Sequence, residues 1–352
     1  MPFRQAAINA LVCVAAISFP AAAQEAPVAA IGAEYLASEP HSAALSIGVL
    51  RDGEMHFYYF GMVDKGAGAP TDLTRYEIGS ITKTFVGLIL ARAVAAGKLG
   101  LDDDVRRHLE GAYPALEFEG APVRVLHLAN MTSALPDNIP DLSSLEPDPG
   151  RFKRARALAA YTRSDFLRDL RHVTPSGEPG KSVGHSNAAA QLLITILENA
   201  WGASYDELLS REIERPLRFD AAAASQPIPG HDSEGRTAAA LPPANLGQRY
   251  SIRDMLRYTA LQLDEGDATV QTSHTGTWFT LDGKNAVATP WIITFLPDGG
   301  RKLRYSGGTF GFSSYMAFYP ERKLGIVLLA NNASDTAQDR LGQAAERLAA
   351  IE

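Results

Sequence analysis

Apolar residues concentrate in short runs at the two ends of the chain, and their spacing predicts strands. Residues 43–50 and 55–60 are apolar-rich and are joined by the polar segment Arg51-Asp52-Gly53-Glu54, which predicts a β-hairpin. Four further strands are predicted in the second half of the chain, at residues 287–296, 302–306, 313–319 and 324–330.

The middle of the chain has a largely helical pattern, from about residue 82 to residue 263. It is interrupted by two loops rich in Pro, Gly and small or polar residues, at 137–150 and 226–247. Near the end of the chain, apolar residues recur at helical spacing at Leu341, Ala344, Ala345 and Leu348. Strands from both ends with helices between them predict an α+β fold, in which an antiparallel sheet carries a helical insertion.

Ser80 and Lys83 are the first candidates for chemistry. They lie where a short polar turn, residues 76–79, runs into an apolar helical stretch, residues 85–96. Residues three apart share one face of a helix, so the Lys83 ammonium is expected one turn from the Ser80 hydroxyl. A serine needs a base to act as a nucleophile, and a lysine in a dry pocket can lose its proton and serve as that base. Composition alone gives roughly half a match to this spacing by chance, so an ordinary helix start remains equally open.

Two further polar motifs follow in the chain. His185-Ser186-Asn187 precedes a helical pattern, and Tyr305-Ser306-Gly307-Gly308 ends a predicted strand. This order resembles that of the class C β-lactamase-related serine hydrolases, within the serine β-lactamase and penicillin-binding protein superfamily. The resemblance covers about residues 30–335, and it includes peripheral stretches at residues 97–105, 127–136, 215–217, 250–255 and 319–332.

The resemblance implies a β-lactamase/transpeptidase-like fold, in which an antiparallel sheet is flanked by helices and carries a large helical insertion. A single catalytic domain is then expected over residues 30–335. Its α/β part would comprise about residues 30–80 and 285–352, and its helical part about residues 81–284.

The resemblance also implies an SxxK-type serine hydrolase that forms an acyl-Ser80 intermediate, with peptidoglycan-type D-alanyl peptides or β-lactams as substrates. In that scheme Lys83 or His185 takes the Ser80 proton, and the backbone N–H groups of Ser80 and Gly308 stabilise the oxyanion. Asn187 would position the substrate and the lysine.

The third motif would line the strand side of the site through Tyr305, Ser306, Gly307 and Gly308. Tyr305 and Ser306 would relay a proton to the leaving group. The expected partner is therefore a small-molecule or peptide acyl substrate. No cofactor and no catalytic metal are expected, because the chain has no H-E-x-x-H motif and no paired cysteine spacing.

Two positions depart from the family pattern. His185 stands where the family usually has tyrosine, and an imidazole can accept a serine proton near neutral pH. Tyr305 stands where the family usually has lysine or histidine, so it offers no cation to a substrate carboxylate. This leaves two alternatives open, an esterase of neutral acyl substrates and a weakly active penicillin-binding or sensor protein. Arg301 or Arg304 could instead supply the missing charge.

Ordinary structural roles are open for the same residues. His185 could be a loop residue facing water, Tyr305 a packed strand aromatic, and Asn187 a cap of the following helix. A rival motif, residues 184–188, resembles the nucleophile elbow of α/β-hydrolases with Ser186 as nucleophile. That elbow requires a buried strand directly before the serine, and the Pro- and Gly-rich residues 174–182 cannot form one.

The first residues predict a secretory signal peptide over residues 1–23. Arg4 gives a positive start, residues 10–19 an apolar run, and Ala21-Ala22-Ala23 a small-residue cleavage site. The apolar run is too short for a membrane span, so no stable membrane insertion is expected. In a bacterium the prediction is export to the periplasm. The one cysteine, Cys13, lies within this segment, so the mature chain would contain no disulfide.

The charge of the chain excludes one class of partner. The formal net charge is −7, and no basic block or basic-aromatic pattern occurs. Nucleic acid binding is therefore not expected. The sequence leaves the oligomeric state open.

Overall fold

An antiparallel sheet forms the centre of the fold and separates two layers of helices. The computed structural model describes residues 21–39, 44–64, 68–143, 145–146, 148–220, 228–242 and 246–351. The predicted signal peptide lies outside these residues, except for the backbone of residues 21–23.

Strands from both ends of the chain share the main sheet, as the sequence predicted. In chain order the described strands are β1 (Ala44–Arg51), β2 (Glu54–Gly61), β3 (Arg75–Glu77), β4 (Glu117–Phe118), β5 (Ala121–Pro122), β6 (Arg249–Ser251), β7 (Trp278–Phe279), β8 (Asn285–Val287), β9 (Ile292–Phe295), β10 (Arg301–Gly308), β11 (Ser313–Tyr319) and β12 (Leu324–Ala330). The main sheet has the order β2-β1-β12-β11-β10-β9-β8-β7 with antiparallel neighbours. Two small pairs, β3 with β6 and β4 with β5, lie outside it.

Most helices lie between β2 and β7 in the chain, which agrees with the predicted helical insertion. The described helices are α1 (Ala21–Ser38), α2 (Thr82–Ala95), α3 (Val125–Ala129), α4 (Phe152–Ala160), α5 (Arg163–Leu170), α6 (Asn187–Trp201), α7 (Tyr205–Leu209), α8 (Ile252–Leu263), α9 (Ala268–Ser273) and α10 (Ala337–Ala349). Short 3-10 turns occur at Gly79–Ile81, Val105–His108, Pro149–Arg151 and Pro320–Arg322, and a π-helical turn occurs at Ser210–Glu214. Within the described part of the chain, no helix is both long and apolar enough to cross a membrane.

Both faces of the sheet are covered. Every residue of β11 and β12 is buried, so successive side chains enter two different cores. Val327 and Leu329 belong to the core shared with α2, α6 and α8. Ile326 and Leu328 belong to the core shared with α1 and α10. This layered arrangement of helices on a single antiparallel sheet confirms the predicted α+β fold.

The single strand predicted at residues 287–296 is wrong. β8 ends at Val287 and β9 begins at Ile292, and the Ala288 N–H donates to the Trp291 carbonyl in a turn between them. Pro290 has no N–H to donate to a strand neighbour, which is the physical reason for the break. The predicted hairpin and the predicted terminal helix are confirmed as β1–β2 and α10.

The junction between the sheet and the helical insertion determines where the three motifs meet. β3 leads through the 3-10 turn at Gly79–Ile81 into α2, and this turn packs against β10 and β11. α6 packs against α2. The beginnings of α2 and α6 and the end of β10 therefore lie together.

Candidate active site

Ser80 lies in the 3-10 turn that connects β3 to α2. Gly79 before it has a φ of 51°, in the left-handed region that favours glycine. A Cβ on Gly79 would also lie 2.7 Å from the carbonyl oxygen of Gly308. The turn thus presents Ser80 at the start of α2 and directly against the end of β10.

Gly307 allows β10 to approach the backbone of Ser80. A Cβ at position 307 would lie 2.1 Å from the carbonyl oxygen of Ile78 and 2.9 Å from the backbone nitrogen of Ser80. The Ser314 hydroxyl of β11 donates to the same Ile78 carbonyl at 2.8 Å and ties the turn to the sheet. The Gly307-Gly308 segment predicted to border the nucleophile therefore does lie beside it.

Lys83 is the buried base candidate one helical turn from Ser80. Its Nζ donates to the Ser80 Oγ at 2.8 Å and to the Asn187 Oδ1 at 2.7 Å. Its side chain is only 6 % exposed. Burial lowers the pKa of Lys83 from 10.5 to about 7, and the nearby Asp137 carboxylate opposes this shift. A substantial fraction of Lys83 is therefore neutral at physiological pH.

His185 lies on the solvent-exposed side of the Ser80 and Lys83 side chains. Its Nε2 is 3.3 Å from the Ser80 Oγ and 3.3 Å from the Lys83 Nζ. Its Nδ1 is 2.7 Å from the Asp137 Oδ1. The hydrogen bond from His185 lowers the pKa of the Asp137 carboxyl, which is therefore ionised at neutral pH. An ionised carboxylate accepts a hydrogen bond from the Nδ1–H group, and in the neutral ring Nε2 then carries no proton and faces Ser80.

The sequence did not identify Asp137 as a functional residue. It directly follows Pro136, at the end of a stretch that matched the family pattern, and it begins the loop predicted at residues 137–150. The one available signal was a carboxylate at the start of that loop. Its spacing from His185 in the chain gave no indication that the two side chains meet.

Backbone hydrogen bonds join the loop that begins at Asp137 to the start of α6. They place His185 and Asn187 beside Ser80 and Lys83. The N–H groups of Asn187 and Ala188, at the start of α6, donate to the Asp137 carbonyl at 2.7 and 3.0 Å. The Asn187 Nδ2 donates to the Asn138 Oδ1 at 3.0 Å. The side chain of Asn187 is therefore committed to Lys83 and Asn138 and does not cap its own helix.

Ser186, the nucleophile of the rival motif, has a structural role instead. Its Oγ accepts the Ala189 N–H at 2.9 Å and donates to the Pro136 carbonyl at 2.7 Å. The residue is buried. Ser186 is thus the N-cap of α6, and its hydroxyl is not available for nucleophilic attack.

Tyr305 is packed beneath the site. Its side chain is 4 % exposed, and its hydroxyl donates to the sulfur of Met131 at 3.4 Å. Burial raises the pKa of Tyr305, so the phenol stays neutral. Its predicted role in substrate binding stays a prediction, but its surroundings are those of a packed aromatic residue.

The other residues of β10 that the sequence suggested for substrate binding lie in surroundings unlike those of Tyr305. Ser306 is half-buried, and Gly308 is exposed at the end of β10. Arg301 forms ion pairs with Glu265 and Glu321. Arg304 is next to Tyr305 on the strand and therefore points to the opposite face of the sheet, where it interacts with Tyr315. Neither arginine takes the place of the missing cation.

A cleft of about 450 Å³ opens over Ser80, which is large enough for a dipeptide-sized ligand. Ser80, His185, Asn187 and Gly308 contribute to its lining. The rest of the lining is mixed: Gly79, Asn138, Ile139, Asp141, Leu142, Ser143, Arg154, Leu158, Gln191, Leu241, Leu246, Thr309 and Phe310. In the part of the chain that the structure describes, no cluster of His, Cys, Asp or Glu side chains could hold a metal ion.

The sequence of the chain is similar to those of known proteins. It is 27% identical over 325 residues to "Protein flp" of Staphylococcus aureus (strain MRSA252), covering 86% of this chain but only 62% of that protein. It is 24% identical over 335 residues to a "Beta-lactamase" of Escherichia coli (strain K12), covering 82% of this chain and 83% of that protein.

The fold is similar to that of solved structures. The "Beta-Lactamase/D-Alanine Carboxypeptidase from Pseudomonas syringae" aligns with a TM-score of 0.77 at 19% identity, over 94% of this chain and 100% of that chain. This likeness confirms the predicted β-lactamase/transpeptidase-like fold. Residues 28–351 match the family described as Beta-lactamase. The predicted family is thus confirmed, and the chain belongs to the Beta-lactamase family.

Proposed function

We propose that this protein is an exported serine hydrolase that acts through an acyl-Ser80 intermediate on peptidoglycan-type D-alanyl peptides or β-lactams. The observation that carries the proposal is the 2.8 Å contact between Lys83 Nζ and Ser80 Oγ, at a lysine whose pKa is lowered by burial to about 7. Membership of the Beta-lactamase family supports the same chemistry. The export to the periplasm rests on the sequence of residues 1–23 alone.

Acylation begins when the Ser80 Oγ attacks the carbonyl carbon of the substrate. Its proton passes to the neutral Lys83 Nζ or to the His185 Nε2. The backbone N–H groups of Ser80 and Gly308 stabilise the negative charge that develops on the carbonyl oxygen. The bond from the carbonyl carbon to the leaving nitrogen then breaks, and the proton moves to that nitrogen.

Deacylation repeats these steps with water as the nucleophile. The base takes a proton from water, and the resulting hydroxide attacks the acyl ester on Ser80. The ester bond breaks, the Ser80 Oγ regains the proton, and the product leaves as a carboxylic acid.

Asp137 acts in this scheme through His185 and not on the substrate. The 2.7 Å contact between the Asp137 Oδ1 and the His185 Nδ1 selects the tautomer whose Nε2 can accept a proton from Ser80. Asp137 is therefore a positioning residue. Asn187 has a similar role towards Lys83, whose amine it holds at 2.7 Å.

A second candidate function is that of an esterase of neutral acyl substrates. The neutral, packed side chain of Tyr305 favours it, because position 305 presents no cation to a substrate carboxylate. The apolar residues Ile139, Leu142 and Phe310 of the cleft would suit an uncharged acyl chain. A weakly active penicillin-binding or sensor protein would keep the acylation step and hydrolyse the acyl ester slowly.

A substrate panel tests the proposal. We expect the purified protein to consume a penicillin or a D-alanyl-D-alanine peptide, and the Ser80→Ala variant to lose this activity by at least about 1000-fold. Turnover of p-nitrophenyl butyrate alone would replace the proposal with the esterase. Turnover of any of the three compounds that survives in Ser80→Ala would contradict Ser80 as the nucleophile.

A further inference from the structure

One arginine in the wall of the cleft has no ion-pair partner among the residues that the structure describes. Arg154, on α4, lines the same cavity as Ser80 and His185. Its Nε is buried and has no hydrogen-bond partner, and no ion pair of Arg154 occurs among the residues that the structure describes. Buried donors of this kind are normally satisfied, so the described residues leave hydrogen-bonding capacity of Arg154 unused.

The charged groups near the cleft already have partners. Asp141, the carboxylate in the same lining, accepts hydrogen bonds from the Ser143 N–H and Oγ at 2.8 and 2.9 Å. Lys83 is bonded to Ser80 and Asn187. Arg154 differs from them, because no described residue accepts a hydrogen bond from its guanidinium. A molecule that enters the cleft can therefore accept one.

The helix α4 directs Arg154 towards the cleft. Arg154 and Leu158 are four residues apart, so they share one face of the helix, and both contribute to the cleft lining. Arg156 lies on another face of α4 and is exposed to solvent. The helix thus offers one arginine to the site and one to bulk water.

We propose that Arg154 binds a carboxylate of the substrate and makes the enzyme selective for acyl compounds that carry one. The planar guanidinium can form two parallel hydrogen bonds with a carboxylate, which a tyrosine hydroxyl cannot. Arg154 thereby supplies, from the helical side, the cation that Tyr305 does not supply from β10. This inference rests on the proposed function, because it assumes that Ser80 attacks a molecule bound in this cleft.

Paired substrates test the inference. The kinetic constants of the wild type, Arg154→Ala and Arg154→Lys are compared on an N-acyl-D-alanyl-D-alanine peptide and on its C-terminal carboxamide. We expect Arg154→Ala to lower kcat/KM for the carboxylate by about 10- to 100-fold, mainly through KM, and to leave the carboxamide within about twofold. Arg154→Lys keeps the charge without the planar fork and should recover part of the loss.

The matched control is Arg156→Ala, which removes the same charge from the exposed face of the same helix. It should leave both substrates unchanged. An equal loss on both substrates in Arg154→Ala, or no loss on either, would overturn the inference.

A binding measurement separates this inference from the proposed function. Calorimetry with Ser80→Ala, in which the proposed chemistry cannot occur, compares the affinity of the carboxylate and carboxamide peptides with and without Arg154→Ala. Tighter binding of the carboxylate that depends on Arg154 supports the anchor even if the wild type turns over neither compound. Equal affinity for the two peptides, or no binding of either, would overturn it.

Discussion

The proton state of Lys83 determines how the polar residues around Ser80 share their hydrogen bonds. The Lys83 Nζ lies within 3.3 Å of Ser80, Asn187 and His185. A charged ammonium can donate to all three groups, whereas a neutral amine has only two N–H groups and one lone pair. The neutral amine can therefore donate to Asn187 and His185 and accept from Ser80, which is the arrangement needed for nucleophilic attack.

The exposed pair of His185 and Asp137 gives a prediction for Asp137→Asn. An asparagine can donate its N–H to the His185 Nδ1, which favours the tautomer with a proton on Nε2 and removes that base. Burial lowers the pKa of Lys83 to about 7, so activity should rise with pH through that value as the amine loses its proton. In Asp137→Asn this rise should remain but move to lower pH, because the Asp137 carboxylate raises the pKa of Lys83, and the plateau above it should fall by about 10- to 100-fold. A pH profile of kcat measures both.

The stability of the variant shows whether the effect is structural. Asp137 holds α6 through its backbone carbonyl, which the substitution leaves in place. An exposed ion pair contributes about 0–1 kcal/mol, so the free energy of unfolding should change little. Asp52→Asn, the same change of charge at an exposed position between β1 and β2 and outside the cleft lining, is the control and should leave the profile unchanged. An unchanged plateau in Asp137→Asn would show that His185 does not need the carboxylate.

At the residue scale the sequence predicted the side chains to which the proposed chemistry is assigned. Ser80 and Lys83 follow from helical spacing, and the structure brings His185 and Asn187 into contact with them. Asp137 and Arg154 could not be predicted in the same way. Their positions depend on how a loop and a helix of the insertion fold over the cleft, and no periodic pattern encodes that.

At the scale of elements, the site depends on the close approach of β10 to the turn that begins α2. Gly79 faces the backbone of Gly308, and Gly307 faces the backbone of Ile78 and Ser80, so a side chain at either position would overlap with main-chain atoms. Main-chain atoms cannot move aside as the end of a flexible side chain can. The two elements are therefore held at a separation that only glycine permits.

Gly307→Ala should disturb this approach. Its Cβ would lie 2.1 Å from the Ile78 carbonyl oxygen, so β10 and the turn must move apart. We expect a loss of about 1–3 kcal/mol in the free energy of unfolding, as for other overpacked sites. We also expect kcat/KM to fall by about 100-fold, because the Ser80 and Gly308 N–H groups would no longer converge on one oxygen.

Gly184→Ala is the matched control, since a Cβ at Gly184, next to His185, meets no atom within 4 Å. It should leave stability and activity unchanged. Denaturant unfolding and steady-state kinetics measure both variants. Wild-type activity in a folded Gly307→Ala protein would contradict the role given to the junction.

Element types were predicted better than element ends. The hairpin β1–β2, the strands β11 and β12 and the helix α10 follow from patterns of apolar residues that a half-buried or fully buried strand or helix requires. The run at 287–296 was misread because its apolar residues were read as one strand across Pro290, a residue that cannot donate a backbone hydrogen bond inside a sheet. The turn from Ala288 to Trp291 divides it, and Pro290 was the one signal in the sequence for that turn.

At the scale of the whole molecule, the order of the elements in the chain explains where the cleft lies. The sheet is assembled from both ends of the chain; the helical insertion begins at the turn packed against β10, and the chain returns to the sheet at its edge strand β7. The nucleophile comes from the start of the insertion, the proton-transfer residues come from within it, and Gly308 comes from the sheet. Each part of the site thus belongs to a different segment of one continuous fold.

The most direct measurement is the intact mass of the protein after incubation with a penicillin, alongside Ser80→Ala. We predict a mass increase equal to one penicillin in the wild type, lasting or transient according to the rate of deacylation, and none in Ser80→Ala. A quenched time course captures the transient case. An adduct of the same size in Ser80→Ala, or no adduct and no drug consumption in the wild type, would contradict the account of a β-lactam- or D-alanyl-peptide-directed acyl enzyme.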